Sequence, residues 1–88
     1  KEKGMKYNVT IKKSAIKVLE KINEPDYSKI KQAVYSLADN PRPFGYEKLK
    51  GRPGYRIRQG NFRIIYEIYN NILIVDVIAI GHRRDIYE

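Results

Sequence analysis

The stretch Gly51–Tyr69, GRPGYRIRQGNFRIIYEIY, leaves this chain few ways to fold. Two runs of alternating residues, Tyr55–Arg58 and Phe62–Ile68, flank Gln59-Gly60-Asn61. Aromatic and β-branched residues at period two form strands, and a Gly-Asn step between two such runs forms a tight hairpin. Successive strand side chains point to opposite faces. Arg56 and Arg58 are therefore predicted on one face, with Tyr55 and Ile57 on the other. Arg63 enters from the facing strand just past the turn. A one-residue uncertainty in turn length leaves its face open, because a slip of one residue inverts every side chain. Three guanidiniums on neighbouring strands repel one another and call for an anion to receive them.

The rest of the chain is arranged around this hairpin. Lys6–Ile11 alternates and is predicted as a first strand. Ser14 is expected to cap a helix whose apolar positions are Ala15, Val18, Leu19 and Ile22. Asn23-Glu24-Pro25 breaks it, and Asp26 is expected to cap a second helix with Ile30, Ala33, Val34 and Leu37 on one face. The short connection makes the pair an antiparallel helix hairpin. Asn40–Gly45, NPRPFG, cannot continue a helix. In Tyr46–Gly51, YEKLKG, Leu49 is expected to enter the core while Lys48 and Lys50 point outward. Tyr69-Asn70-Asn71 signals a turn. Ile72–Ile80 is then almost continuously apolar, as in a strand buried on both faces, and is predicted to pair with Phe62–Ile68. Asp76 interrupts that run, either as a partly exposed strand-end residue or in a salt bridge to one of the arginines. The order predicts an α+β fold: an N-terminal strand, then an antiparallel two-helix hairpin packed on one face of a mainly antiparallel small sheet. A single domain is expected over residues 5–88. Lys1–Gly4 precede the only methionine and are set aside as either a native extension or an added remnant.

Composition narrows the chemistry. The 88 residues allow one small domain, and they include no cysteine and one histidine. Disulfides, cysteine-based zinc sites and histidine-rich metal sites are excluded, so neither a metal nor another cofactor is expected. No apolar run approaches the ~20 residues of a membrane span, and the polar start lacks the apolar core of a secretory signal. A cytoplasmic setting fits, with no membrane partner. The formal net charge of +8 points to an anionic partner, either nucleic acid or an acidic protein.

The cationic set is Arg56, Arg58, Arg63, Arg83 and Arg84, with Lys48 and Lys50. Guanidinium is planar, permanently charged and forks onto phosphate oxygens. Cations drawn from three chain segments and gathered by a sheet suit a bent phosphodiester; the plainer alternative is a solvated basic face. His82, beside Arg83 and Arg84, is the one side chain of the type that exchanges protons near neutral pH. Tyr87 follows five residues later and suits base stacking, proton transfer or simple closure of the core edge. No glycine-rich phosphate loop precedes a helix, and no serine or cysteine stands in a nucleophile setting. A hydrolase built on this chain must borrow its nucleophile, and the 2′-hydroxyl of RNA is one. Arginines stabilise the developing charge. General acid–base help, typically ~100- to 10,000-fold, falls to His82, Tyr87 or a lysine.

YRIRQGNFRIIYEI followed by IVDVIAIGHRRDIY resembles the RelE side of the RelE/ParE toxin superfamily of bacterial and archaeal toxin–antitoxin systems. LADNPRPFGYEKLKG resembles the usual lead-in to that family's sheet, and the likeness spans Met5–Glu88. It implies a small endoribonuclease that enters the ribosomal A site and cuts messenger RNA by 2′-hydroxyl attack, leaving a 2′,3′-cyclic phosphate. It implies catalytic roles for Arg56, Arg58, Arg63, Arg83 and Tyr87. Lys48, Lys50 and Arg84 are added here as RNA-binding candidates on charge alone. Where the best-known members carry lysines, this chain has Arg56 and Arg58. An arginine does not give up its proton, so these two are expected to hold phosphate charge while His82 or Tyr87 handles protons. Some relatives place a histidine near this tail. The resemblance also implies a RelB-like antitoxin seated on exposed edges and apolar grooves near the helices, with operator DNA contacted only through that antitoxin.

Two other readings belong to different classes. The ParE side of the superfamily poisons DNA gyrase by protein contact and needs no nuclease site. A non-catalytic basic module would bind RNA or an acidic protein without turnover.

Overall fold

A computed structural model describes residues 6–86. The elements run β1 (Asn8–Ile11), α1 (Lys13–Glu20), α2 (Asp26–Ser36), β2 (Glu47–Lys48), β3 (Tyr55–Gln59), β4 (Phe62–Tyr69) and β5 (Ile74–His82). Gln59 pairs with Phe62, so the β3–β4 loop is just Gly60 and Asn61. Gly60 takes φ 61, and Asn61 is not among the residues with positive φ. Glycine at the first central position is the mark of a type II′ hairpin, whose twist suits the flanking strands. The strands lie in the order β1-β5-β4-β3-β2. β1 runs parallel to β5 and the other three neighbouring pairs are antiparallel. This is the expected α+β architecture, with β5 in the interior.

Both helices cover one face of the sheet. Ala15, Leu19, Ile30, Val34 and Leu37 meet Ile57, Ile64, Tyr66, Val75, Val77 and Ile80 in one buried cluster. Fully burying a side chain of this size contributes roughly 1.5–3 kcal/mol. Tyr66 is completely buried, and its hydroxyl donates to the Pro41 carbonyl at 2.7 Å. That bond fastens the segment after α2 to the sheet. Burial pushes the Tyr66 phenol well above its usual range.

Local details depart from the sequence pattern for identifiable reasons. Ser14 lies inside α1, whose N-cap is Lys12 with no side-chain hydrogen bond. Asp26 is the first residue of α2 rather than its cap, and Pro25 holds the cap position. Glu24 does the capping from one residue further out, accepting from the Ser28 N–H at 3.1 Å and its hydroxyl at 2.7 Å. Val18, expected in the core, is exposed. The Tyr69 turn is longer than its asparagines suggested. Ile72 N–H donates to the Tyr69 carbonyl at 3.3 Å and Leu73 takes φ 55, so β5 starts at Ile74. It then continues past Ile80, because Gly81 and His82 pair with Arg63 and Phe62. Asp76 pairs with Lys12 at 3.2 Å, not with an arginine, and accepts from Thr10 at 2.9 Å. Parallel β1 supplies those partners by placing Thr10 beside Asp76.

Leu49 is buried while Lys48 and Lys50 are exposed, as expected. Leu49 rests on Gly54, whose φ is 119. A Cβ there would lie 3.2 Å from both the Leu49 Cδ1 and the Tyr66 carbonyl oxygen. Gly54→Ala is therefore expected to cost about 1–3 kcal/mol in backbone strain, before the contact with an immovable carbonyl is added. Gly51→Ala, at φ 71 with nothing within 4 Å, is the control and should lower the urea midpoint less.

Candidate functional site

The two-residue turn settles the face of Arg63. Arg58 stands directly opposite Arg63 in the β3–β4 register, and Arg56 stands opposite Ile65. Ile57 and Ile64 pair into the core. Arg56, Arg58 and Arg63 therefore share the face turned away from the helices. Directly opposed strand residues have Cβ atoms ~4.5–5.5 Å apart, and like charges so placed destabilise the pair. A bound anion reverses that sign.

The three arginines are not equivalent. Arg58 is exposed and Arg63 half-buried. Arg56 is only 5% exposed, and its guanidinium is ion-paired with Glu47, its partner across the β2–β3 ladder. The outer face is covered here: Leu49 and Ile65 are 3% and 1% exposed. A guanidinium buried beside a carboxylate shapes a site more than it presents charge to a ligand.

The tail returns to the hairpin tip. Arg83 N–H donates to the Asn61 carbonyl at 2.8 Å, which sets Arg83 at the same end of the sheet as Arg58 and Arg63. Arg83 and Arg84 are both exposed. Ile86 closes over Gly81, 3.5 Å from where a side chain there would begin. Tyr87 lies outside the described residues.

His82 is set apart from the arginine pair. It is the partner of Phe62, one residue on from the Arg63–Gly81 pair, so it turns toward the helix side. Its ring meets Phe62 edge-on, with centroids 5.5 Å apart, and the Arg84 N–H donates to its Nδ1 at 3.3 Å. It borders a cleft of roughly 370 Å³ between α1 and the end of β5, with Ala15, Val18, Ile80 and Ile86. The lysines are apart as well. Lys48 extends over the Tyr55 ring at 5.7 Å and donates to the Arg52 carbonyl at 3.2 Å. Lys48 pairs with Tyr55, three residues and about 10 Å from Arg58 along the strand. Lys50 follows it in the next loop.

The arrangement thus gathers Arg58, Arg63 and Arg83 at the hairpin tip, places Arg56 behind them, and leaves Lys48, Lys50 and His82 elsewhere. Such a tip can bind a phosphate and stabilise charge that grows on it. Two supporting groups escape a reading of the sequence. Glu47 belongs to a strand of two residues, too short to show a period, and Asn61 contributes only a backbone carbonyl.

Comparison with known proteins gives the family. The model of the ParE toxin of the type II toxin–antitoxin system parDE matches residues 9–87. A Methanocaldococcus jannaschii protein bearing the name toxin RelE1 is 33% identical over 88 residues, covering 96% of this chain and 98% of its own. The archaeal RelE–RelB complex from Pyrococcus horikoshii contains a chain that superposes with a TM-score of 0.79 at 27% identity, over 90% of this chain and 97% of that one. The toxin–antitoxin complex RelBE2 from Mycobacterium tuberculosis shares the fold, with a TM-score of 0.80 at 20% identity over 94% and 98% of the two chains. The chain therefore belongs to the RelE/ParE superfamily of type II toxin–antitoxin toxins, as a RelE-like member.

Proposed function

We propose that this toxin is an endoribonuclease that cuts messenger RNA in the ribosomal A site. The observation that carries the reading is the Arg58–Arg63 cross-strand pair, with Arg83 tethered beside it through Asn61. In the proposed reaction the 2′-oxygen attacks the adjacent phosphorus and the bond to the 5′-oxygen breaks. The products are a 2′,3′-cyclic phosphate and a free 5′-hydroxyl. The 2′-hydroxyl proton passes to a base and the leaving oxygen takes one from an acid, so the step needs no metal and no added nucleophile. Arg58, Arg63 and Arg83 neutralise the charge gathered on the non-bridging oxygens. Arg56, held by Glu47, supports the strand that presents Arg58.

Proton handling falls to Tyr87 more than to His82, because His82 packs against Phe62 on the other side of the sheet. His82→Ala is expected to slow cleavage less than tenfold, against the ~100- to 10,000-fold of a lost general acid or base. A larger loss, in a variant with an unchanged unfolding midpoint, restores His82 to the reaction.

A cognate RelB-like antitoxin is the proposed partner, as in the archaeal RelE–RelB complex. The apolar cleft beside α1, bordered by exposed Val18, suits it as a seat. The test of the whole reading is cleavage of a defined messenger with and without a programmed ribosome, mapping the 5′ ends of the products. Cuts inside the A-site codon, dependent on the ribosome and lost in Arg83→Ala, are expected. The match to the ParE model favours gyrase poisoning as the second reading. Intact protein that inhibits gyrase and cuts no RNA would establish that one instead.

A further inference from the structure

The segment that ends α2 does more than stop a helix. Tyr46 N–H donates to the Pro43 carbonyl at 3.0 Å, and Gly45 holds φ 90. A hydrogen-bonded turn with positive φ at its third residue is type II, and glycine is the residue that fits there. Phe44 occupies the second, outermost position. Its side chain is fully exposed, whereas Ile72, the next most exposed large apolar residue among those described, reaches 57%. The turn is braced from its N-terminal side. Pro41 accepts the Tyr66 hydroxyl, and Arg42 N–H donates to Asn40 Oδ1 at 3.1 Å. An aromatic ring held out on a rigid turn contributes nothing to the core, and its pre-ordering lowers the entropy lost when it binds something.

Phe44 lines a cleft of roughly 350 Å³ that follows β3 beyond the end of β2. Ala33 and Ser36 of α2 border it beside the turn, and Arg56, Ile57 and Arg58 border it from the strand. Arg58 is common to both places: it lines the cleft and it faces Arg63. A strand whose phosphate sits at the arginine pair would carry its adjoining base to the Phe44 ring. Glu47 lines the cleft as well and is ion-paired with Arg56, so the exposed cation on its wall is Arg58. A cation beside an exposed aromatic ring is the pairing that holds single-stranded nucleic acid by its backbone and by the face of a base, without base-specific contacts. An apolar protein segment would gain little from that charge.

We propose that Phe44 is a base-stacking residue, which receives the nucleobase adjoining the phosphate held by Arg58 and Arg63 and so forms a single-stranded RNA subsite. The proposal rests on the RNA reading of the arginine pair. It adds a determinant that no charge count of the chain supplies.

The chain contains no tryptophan, so Phe44→Trp places a lone fluorescent reporter at the site. The probe is a fully 2′-O-methylated hexaribonucleotide, which cannot be cleaved by 2′-attack; an abasic hexamer of equal charge is the control. Saturable quenching by the first and little by the second is expected. Phe44→Ala should weaken binding of the labelled hexamer about 5- to 150-fold, while Phe44→Tyr retains it. Neither should move the urea midpoint, since the side chain packs against nothing. Equal quenching by the abasic control, or unchanged binding by Phe44→Ala, overturns the proposal and leaves the ring to a protein contact. Quenching without ribosomal cleavage would keep the subsite and remove the nuclease. Cleavage without quenching would remove the subsite alone.

Discussion

Arg63→Ala is expected to slow ribosome-programmed cleavage about 100- to 1,000-fold, the range found when one preorganised donor to a developing oxyanion is removed. Arg63 is half-buried while Arg58 is exposed. Charge that is less hydrated before the reaction interacts more strongly with the transition state. The loss in Arg58→Ala should therefore be smaller. Arg63→Lys keeps the charge and forfeits the two-pronged geometry, so partial recovery is expected. Fold stability should move little in Arg58→Ala, since Arg58 is exposed and its removal relieves a repulsion between opposed like charges. The checking measurement is single-turnover cleavage on the programmed ribosome beside a urea melt. An Arg63→Ala toxin that cuts at the parent rate would sink the phosphate role. One that cuts slowly and has also lost its cooperative melt would say nothing specific about catalysis.

The elements that position these arginines were legible where a period was long enough to read. The β3–β4 hairpin, the two helices and interior β5 all follow from apolar spacing and punctuation. The shared face of Arg58 and Arg63 was not legible, since it turns on whether the loop has two residues or three. The Gln59–Phe62 pairing decides it, with Gly60 at φ 61 in the turn, and neither a register nor a backbone angle is visible in a residue list. The burial of Arg56 was hidden for a different reason. Alternation assigns it to an outward face, but on that face Glu47 of β2 holds its guanidinium and the neighbouring Leu49 and Ile65 are buried. The consecutive pair Ile64-Ile65 was the available clue, because adjacent apolar residues in a strand need cover on both sides. Adjacency groups His82 with Arg83, while strand parity turns His82, as the partner of Phe62, to the face opposite the Arg63–Gly81 pair. The Pro-Phe-Gly step registered as a helix breaker, although glycine in the third place of a turn already implied a displayed Phe44.

Tyr66→Ala should be among the most damaging single changes to stability, at about 3–5 kcal/mol. For 88 residues a typical stability is about 4–13 kcal/mol, so much of the folded population is at stake at 37 °C. Tyr66→Phe separates the ring from its hydroxyl. It keeps the packing and leaves the buried Pro41 carbonyl without that donor, for a loss of about 1–3 kcal/mol. The two variants should differ with pH as well. The folded-state pKa of Tyr66 lies above the unfolded value of about 10. Its hydroxyl therefore stabilises the fold fully below pH 10, and progressively less as pH rises beyond it. The gap between parent and Tyr66→Phe in urea midpoint should be widest near neutrality and shrink above pH 10; a gap independent of pH would deny the buried phenol that role. The same bond also reaches the RNA subsite. Pro41 is the anchor of the segment that displays Phe44, and Tyr66 sits on the strand that carries Arg63. Loosening that anchor should weaken hexamer binding to the Phe44→Trp reporter while leaving Arg58 and Arg63 in register, which makes Tyr66 a positioning residue for a base it never touches.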